Sequence, residues 1–212
     1  MLASLARPQI QRLLAPLGER LACSGLSPDV VTVVGTLGVT AGALGFLTRG
    51  VFFWGALVIT LFVFSDMLDG MLARARGRSS PWGAFLDSAS DRIGDAAVFG
   101  SLALWYAGGG RSLPLCAAAL ACLVGGSVTS YVKARAEGLG FRCDVGFAER
   151  GERLLVVLVA AGLYGLGVPL LLPVALWFLA AATALTVAQR VAYVRRQAVA
   201  ASAGPRAATS VH

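Results

Sequence analysis

Apolar residues fall along this chain in six long runs separated by short polar and basic segments. The first run opens at Ser27-Pro28-Asp29, a helix-start pattern with a capping serine and a proline in the first turn, and continues to about Thr48. A second covers Val51 to about Leu72, and a third runs from near Trp82 to Tyr106, closed by Gly108-Gly109-Gly110. The fourth covers about Pro114 to Val132. A polar loop from Gly138 to Glu152 separates it from a fifth, Arg153 to about Leu166, and the sixth covers roughly Pro169 to Ala192. Runs of this kind, near the roughly 20 residues that cross the hydrocarbon core of a bilayer, predict transmembrane helices. Before them, Leu2, Leu5, Ile10, Leu13, Leu14, Leu17 and Leu21 interleave with Arg7, Arg12, Glu19 and Arg20, a pattern suited to a helix lying in the membrane surface. The expected fold is therefore an all-α integral membrane protein: six transmembrane helices preceded by an amphipathic interfacial helix within residues 1–25, forming one domain over 1–212. The tail from Arg195 is small, polar and basic, and disorder is expected over residues 197–212.

Composition narrows the class. Hydrophobic residues make up 57% of the 212 positions and charged ones only 14%, too apolar a balance for a soluble domain of this length. The net charge of +7 does not point to nucleic acid, because the basic residues are scattered between apolar runs instead of forming a patch. Of the 18 lysines and arginines, only Arg49 and Arg111 fall on the side opposite the termini. The positive-inside rule then puts both termini, and every Asp and Glu, at the cytoplasmic face of a multi-pass cell-membrane protein. Cys23, Cys116, Cys122 and Cys143 have no metal-ligand spacing and read as packing residues. No removable signal peptide is expected at the N-terminus. Gly35, Gly38, Gly42 and Gly45 form a small-residue face on the first span, suited to close helix approach.

One stretch breaks the apolar pattern. Asp66 and Asp69 are i and i+3 near the end of the second run, and Asp87 and Asp91 are i and i+4 at the start of the third. On helices each pair shares a face, and if the two helices are antiparallel neighbours the pairs can oppose each other. Four crowded carboxylates repel unless cations lie between them. An all-oxygen set suits Mg²⁺, Mn²⁺ or Ca²⁺, and two such ions would serve a displacement at phosphorus. Asp91, last in the series and a turn deeper than Asp87, is the candidate general base. A cation-transport path would need carboxylates distributed across the membrane, whereas these are confined to one side. Lys133, Arg135, Arg153 and Arg190 converge on that side as well, either as ordinary topology anchors or as cationic groups for a phosphorylated ligand.

The pattern D-x-x-D-G-x-x-A-R-x8-G-x3-D-x3-D is met without departure by Asp66, Asp69, Gly70, Ala73, Arg74, Gly83, Asp87 and Asp91. It resembles the signature of the CDP-alcohol phosphotransferases, membrane enzymes that move a phosphatidyl or similar group from a CDP-linked donor to an alcohol with release of CMP. The resemblance implies divalent metal, Mg²⁺ or Mn²⁺ and two ions, on Asp66, Asp69 and Asp87, with Asp91 a further ligand or the base. It also implies that Gly70, Ala73 and Gly83 line the nucleotide pocket, that Arg74 contacts phosphates, that Asp29 and Thr32 belong to the CDP-lipid side, and that the enzyme is a homodimer. The strings around Ser27–Thr32, Phe64–Gly70, Ser130–Glu137 and Gly146–Leu154 resemble the actinobacterial phosphatidylinositol phosphate synthase subfamily. That likeness implies CDP-diacylglycerol and inositol phosphate as substrates, with the acceptor phosphate gripped by Lys133, Arg135, Arg153 and Arg190. Phosphatidylglycerophosphate synthases, which use glycerol phosphate, are the rival resemblance.

Overall fold

The computed structural model describes residues 27–75, 80–147 and 149–203, with the side chains of 65–75 and Ala203 outside that description. The expected interfacial helix and the last residues of the tail, 204–212, therefore lie outside the described residues. What is described is all helical: α1 (Pro28–Phe46), a 3₁₀ turn (Leu47–Arg49), α2 (Phe52–Ala75), α3 (Pro81–Ala107), α4 (Leu113–Gly138), α5 (Arg150–Gly165) and α6 (Leu171–Ala203).

Local chemistry sets the ends. Ser27 caps α1 by accepting from the Val30 N–H at 3.3 Å, and Ser80 caps α3 by accepting from the Gly83 N–H at 3.0 Å, each followed by proline in the first turn. Gly50, at φ 76°, turns the chain from the 3₁₀ segment into α2, a backbone conformation that glycine adopts without penalty. Hydroxyls inside the apolar helices are satisfied locally. Thr32, Thr36 and Thr40 each donate to the carbonyl four residues back, at 3.2, 2.8 and 2.8 Å, and Thr129, Thr183 and Thr186 do the same on α4 and α6.

The helices close a ring. α1 packs against α2 and α3, α4 against α3 and α6, and α5 against α2 and α6, giving the order α1, α2, α5, α6, α4, α3. Ile59, Val98, Phe99, Leu102, Val157, Leu172 and Leu176 fill its centre. Small residues bring α1 close to its neighbours: Gly38 lies against the Phe62 ring and Gly42 against Val58 and Ile59 of α2. The sequence left open whether α2 and α3 are direct neighbours. Among the described residues α1 stands between them, because its small-residue face admits α2 on one side while Val39 meets α3 at Gly94 on the other.

The outside of the ring is apolar. Leu37, Leu57, Leu61, Leu104, Val124, Trp177 and Phe178 are all more than half exposed, the inverse of a water-soluble surface and the form expected of a lipid-facing one. Three segments, Pro28–Arg49, Leu113–Gly138 and Leu171–Ser202, are long and apolar enough to cross a membrane. Charged residues gather at the end of the bundle that holds the start of α3, the end of α4 and the start of α5. The opposite end carries Arg49 and Arg111, with Phe52 edge-on to Trp105 and Tyr164 at ring-centre distances of 5.6 and 4.9 Å.

The tail expectation is corrected in part. α6 continues as helix to Ala203, through residues expected to be disordered from 197. Two things hold it: the alanine-rich sequence has high helix propensity, and the Gln197 side chain clasps the loop after α4, donating to the Arg142 carbonyl at 2.7 Å and accepting from its N–H at 3.0 Å.

Candidate active site

α3 carries three carboxylates one turn apart, and they descend from surface to interior. Asp87 is exposed, Asp91 half-buried, and Asp95 only 3% exposed. Arginines from α5 reach across the ring to meet the two deeper ones. Arg150 places Nη1 2.5 Å from Asp91 Oδ1 and Nε 3.3 Å from Asp95 Oδ1, while Arg153 places Nη2 2.8 Å from Asp95 Oδ2. Arg92 also reaches Asp91, at 3.4 Å. Ion pairs of this burial persist only where both charges are compensated.

Beside this ladder lies a polar cavity of about 380 Å³, whose lining includes Asp91, Lys133, Glu149, Arg150, Arg153 and Arg190. Arg190 is buried and fixed by two backbone carbonyls, donating from Nη1 to Thr129 at 2.7 Å and from Nε to Val145 at 2.9 Å. Arg153 is fully buried against α4 because position 126 is glycine; a Cβ there would come within 3.0–3.1 Å of the guanidinium. Lys133 bonds to Asp144 of the following loop at 2.9 Å, with Glu137 at 3.8 Å. That hydrogen bond, with the ammonium charge behind it, holds the Asp144 carboxyl below its ordinary value.

Of the four expected phosphate-gripping cations, Lys133, Arg153 and Arg190 therefore share one cavity with Asp91. Arg135 is exposed and outside the lining, since two helix residues on from Lys133 the side chain has turned by roughly 200°. Asp29 and Gly83 come together at the starts of α1 and α3, where the Trp82 indole donates to Asp29 Oδ2 at 3.2 Å and Gly83 caps onto Ser80. Thr32 is buried on α1 one turn above Pro28. Asp66, Asp69, Gly70, Ala73 and Arg74 lie on the second half of α2, and their side chains are outside the described residues.

Two residues that sequence reasoning passed over carry much of this geometry. Arg150 is i−3 to Arg153 and so shares its helical face, and Asp95 extends the Asp87–Asp91 spacing by one more turn. Both signals were periodic and present in the sequence.

The donor chemistry fits a hard divalent cation. Asp87 and Asp91 offer carboxylate oxygens at successive turns, the nearer one exposed, an all-oxygen pair suited to such an ion. Among the described residues alone no three potential ligands meet, so such a site would have to be completed by α2.

These features coincide with a family. The model of the CDP-alcohol phosphatidyltransferases matches residues 26–141, and this chain belongs to that family. Within it, the chain is similar to phosphatidylinositol phosphate synthases: 52% identical to that of Streptomyces avermitilis, over 98% of this chain and 88% of the relative, and 45% identical to that of Mycolicibacterium smegmatis, over 90% and 87%. Its structure superimposes on crystal structures of the Mycobacterium tuberculosis phosphatidylinositol phosphate synthase. With CDP-DAG bound to that enzyme the TM-score is 0.82 at 47% identity, covering 86% of this chain and 94% of the other. For its complex with manganese and citrate the score is 0.81 at 47% identity, covering 85% and 88%.

Proposed function

We propose that this chain transfers the phosphatidyl group of CDP-diacylglycerol to a hydroxyl of inositol phosphate, giving phosphatidylinositol phosphate and CMP. The observation that carries the reading is the cavity in which Asp91 stands beside Lys133, Arg150, Arg153 and Arg190. A phosphate ester needs several cationic donors, and a hydroxyl to be activated needs a carboxylate within reach; one cavity offers both. The relatives named as phosphatidylinositol phosphate synthases support the acceptor, and the neighbour with CDP-DAG bound supports the donor.

In this reading Lys133, Arg153 and Arg190 hold the acceptor phosphate. Arg135, exposed at the rim, would act only on its approach. Asp91 takes the proton from the acceptor hydroxyl, whose oxygen attacks the phosphorus joined to diacylglycerol; the phosphorus–oxygen bond to CMP breaks. Gly70, Ala73 and Gly83 leave room for the nucleotide, Arg74 pairs with the donor phosphates, and Asp29 and Thr32 shape the pocket's edge. Asp66, Asp69 and Asp87, with Asp91, are the residues that would hold two ions of Mg²⁺ or Mn²⁺, which when bound neutralise the pyrophosphate and the departing CMP.

The wider setting belongs to the same proposal. The whole chain is read as one membrane domain of six spans, with an interfacial helix before them and the working end at the cytoplasmic face. The lengths of α2 and α3, about 36 and 40 Å at the usual helical rise, and the crowding of basic residues at one end support it. The working unit in this reading is a homodimer, which the family resemblance supports.

The test is CMP release by purified protein given CDP-diacylglycerol and Mg²⁺ or Mn²⁺, with inositol phosphate, glycerol phosphate, free inositol or serine as acceptor. Release with inositol phosphate alone, abolished by EDTA, is expected. Release with glycerol phosphate and not inositol phosphate would replace the acceptor assignment.

A further inference from the structure

The structure assigns a role to Asp95: it is a positioning residue whose buried carboxylate aims Arg150 and Arg153 at the cavity, and it thereby sets the preference for a phosphorylated acceptor. Asp95 lies outside the eight-position signature, one turn deeper on α3 than Asp91. Its two oxygens are divided between two guanidiniums, Oδ1 taking Arg150 Nε at 3.3 Å and Oδ2 taking Arg153 Nη2 at 2.8 Å. A guanidinium is a planar fork of five donors, so fixing one edge fixes the plane and direction of the remainder. Both arginines line the cavity.

The placement does not read as a by-product of helix packing. Among the described residues α3 and α5 are not neighbours in the ring, so these ion pairs bridge its interior instead of fastening two adjoining helices. Glycines clear the space on both sides of the carboxylate: Gly94 faces Arg150 Nη2, where a Cβ would lie 3.4 Å away, and Gly126 faces the Arg153 guanidinium. Asp95 also competes with Asp91 for Arg150, whose Nη1 contacts Asp91 while its Nε is held by Asp95. Neutralising Asp95 leaves Arg150 to move wholly onto Asp91, which takes a cation from the cavity and crowds the proton acceptor. The effect on acceptor preference rests on reading the cavity as the acceptor site, whereas the aiming of the two arginines does not.

The experiment is Asp95→Asn, which keeps shape and removes charge. Three constants are measured on detergent-purified protein: KM for inositol phosphate, KM for CDP-diacylglycerol, and the midpoint for thermal stabilisation by inorganic phosphate without acceptor. The expected result is a rise of about tenfold or more in the first and third with the CDP-diacylglycerol KM little changed, the size typical when an orienting partner is lost. A proportional change in both KM values, or an unchanged phosphate midpoint, would overturn the role. If Asp95→Asn does not accumulate, Asp95→Glu is read by the same constants, because it displaces the charge by one methylene. A shift confined to the phosphate constants supports positioning, and equal shifts overturn it. Should the wild type use neither phosphate-ester acceptor yet bind inorganic phosphate in an Asp95-dependent way, the acceptor reading falls while the positioning role stands.

Discussion

At the scale of residues, charge in an apolar chain was the readable signal, and its pairing was not. Asp66, Asp69, Asp87 and Asp91 stand out in sequence because nothing in a lipid-facing helix accounts for them. The partnership of Asp95 with Arg153 was hidden, since it joins residues 58 apart in sequence that meet only when the ring closes. Asp91→Asn is expected to lower kcat by about 10²–10⁴-fold while CDP-diacylglycerol binding persists, as loss of a proton acceptor does. Binding measured by titration and turnover measured by CMP release check it; full turnover would remove Asp91 from the base role. Gly126→Ala drives a methyl against the Arg153 guanidinium, with an expected cost of about 1–3 kcal/mol for overpacking. Thermal unfolding reads that cost, and the inositol phosphate KM should rise with it because the displaced group lines the cavity.

At the scale of elements, hydrophobicity marked where helices run and not where they stop. The run expected to end near Val132 continues as α4 to Gly138, and the one expected to end near Ala192 continues as α6 to Ala203. Beyond the apolar stretch, the polar segments keep helical form through their own propensity and, for α6, through the clasp between Gln197 and the Arg142 backbone. Starts were better marked, because Ser27-Pro28 and Ser80-Pro81 are chemical caps that need no tertiary partner. Gln197→Ala should remove about 1 kcal/mol of local stability per lost hydrogen bond. Amide exchange over residues 197–203 should speed up accordingly while the exchange of α1 and CMP release stay unchanged. Unaltered exchange would mean that propensity alone holds the segment.

At the scale of the whole molecule, the sequence supplies the segments and withholds their neighbours. A small-residue face on α1 announces close contact but does not name the partner, which is why α1 between α2 and α3 was not foreseen. The expected sidedness depends on counting charges and not on packing. In a cysteine-free background, Arg49→Cys and Arg111→Cys in sealed vesicles should react with an impermeant thiol reagent from the face opposite to Arg142→Cys. Labelling of all three from one side would overturn the orientation. The confinement of the polar cavity to one end of the bundle has a consequence for the bilayer itself. A nucleotide released there returns to water, whereas the new lipid stays in the leaflet that supplied its acyl chains. Each turnover then adds headgroup charge to one leaflet only, so the membrane is made unequal at the moment of synthesis, and any copy of the product on the other surface has had to be carried across.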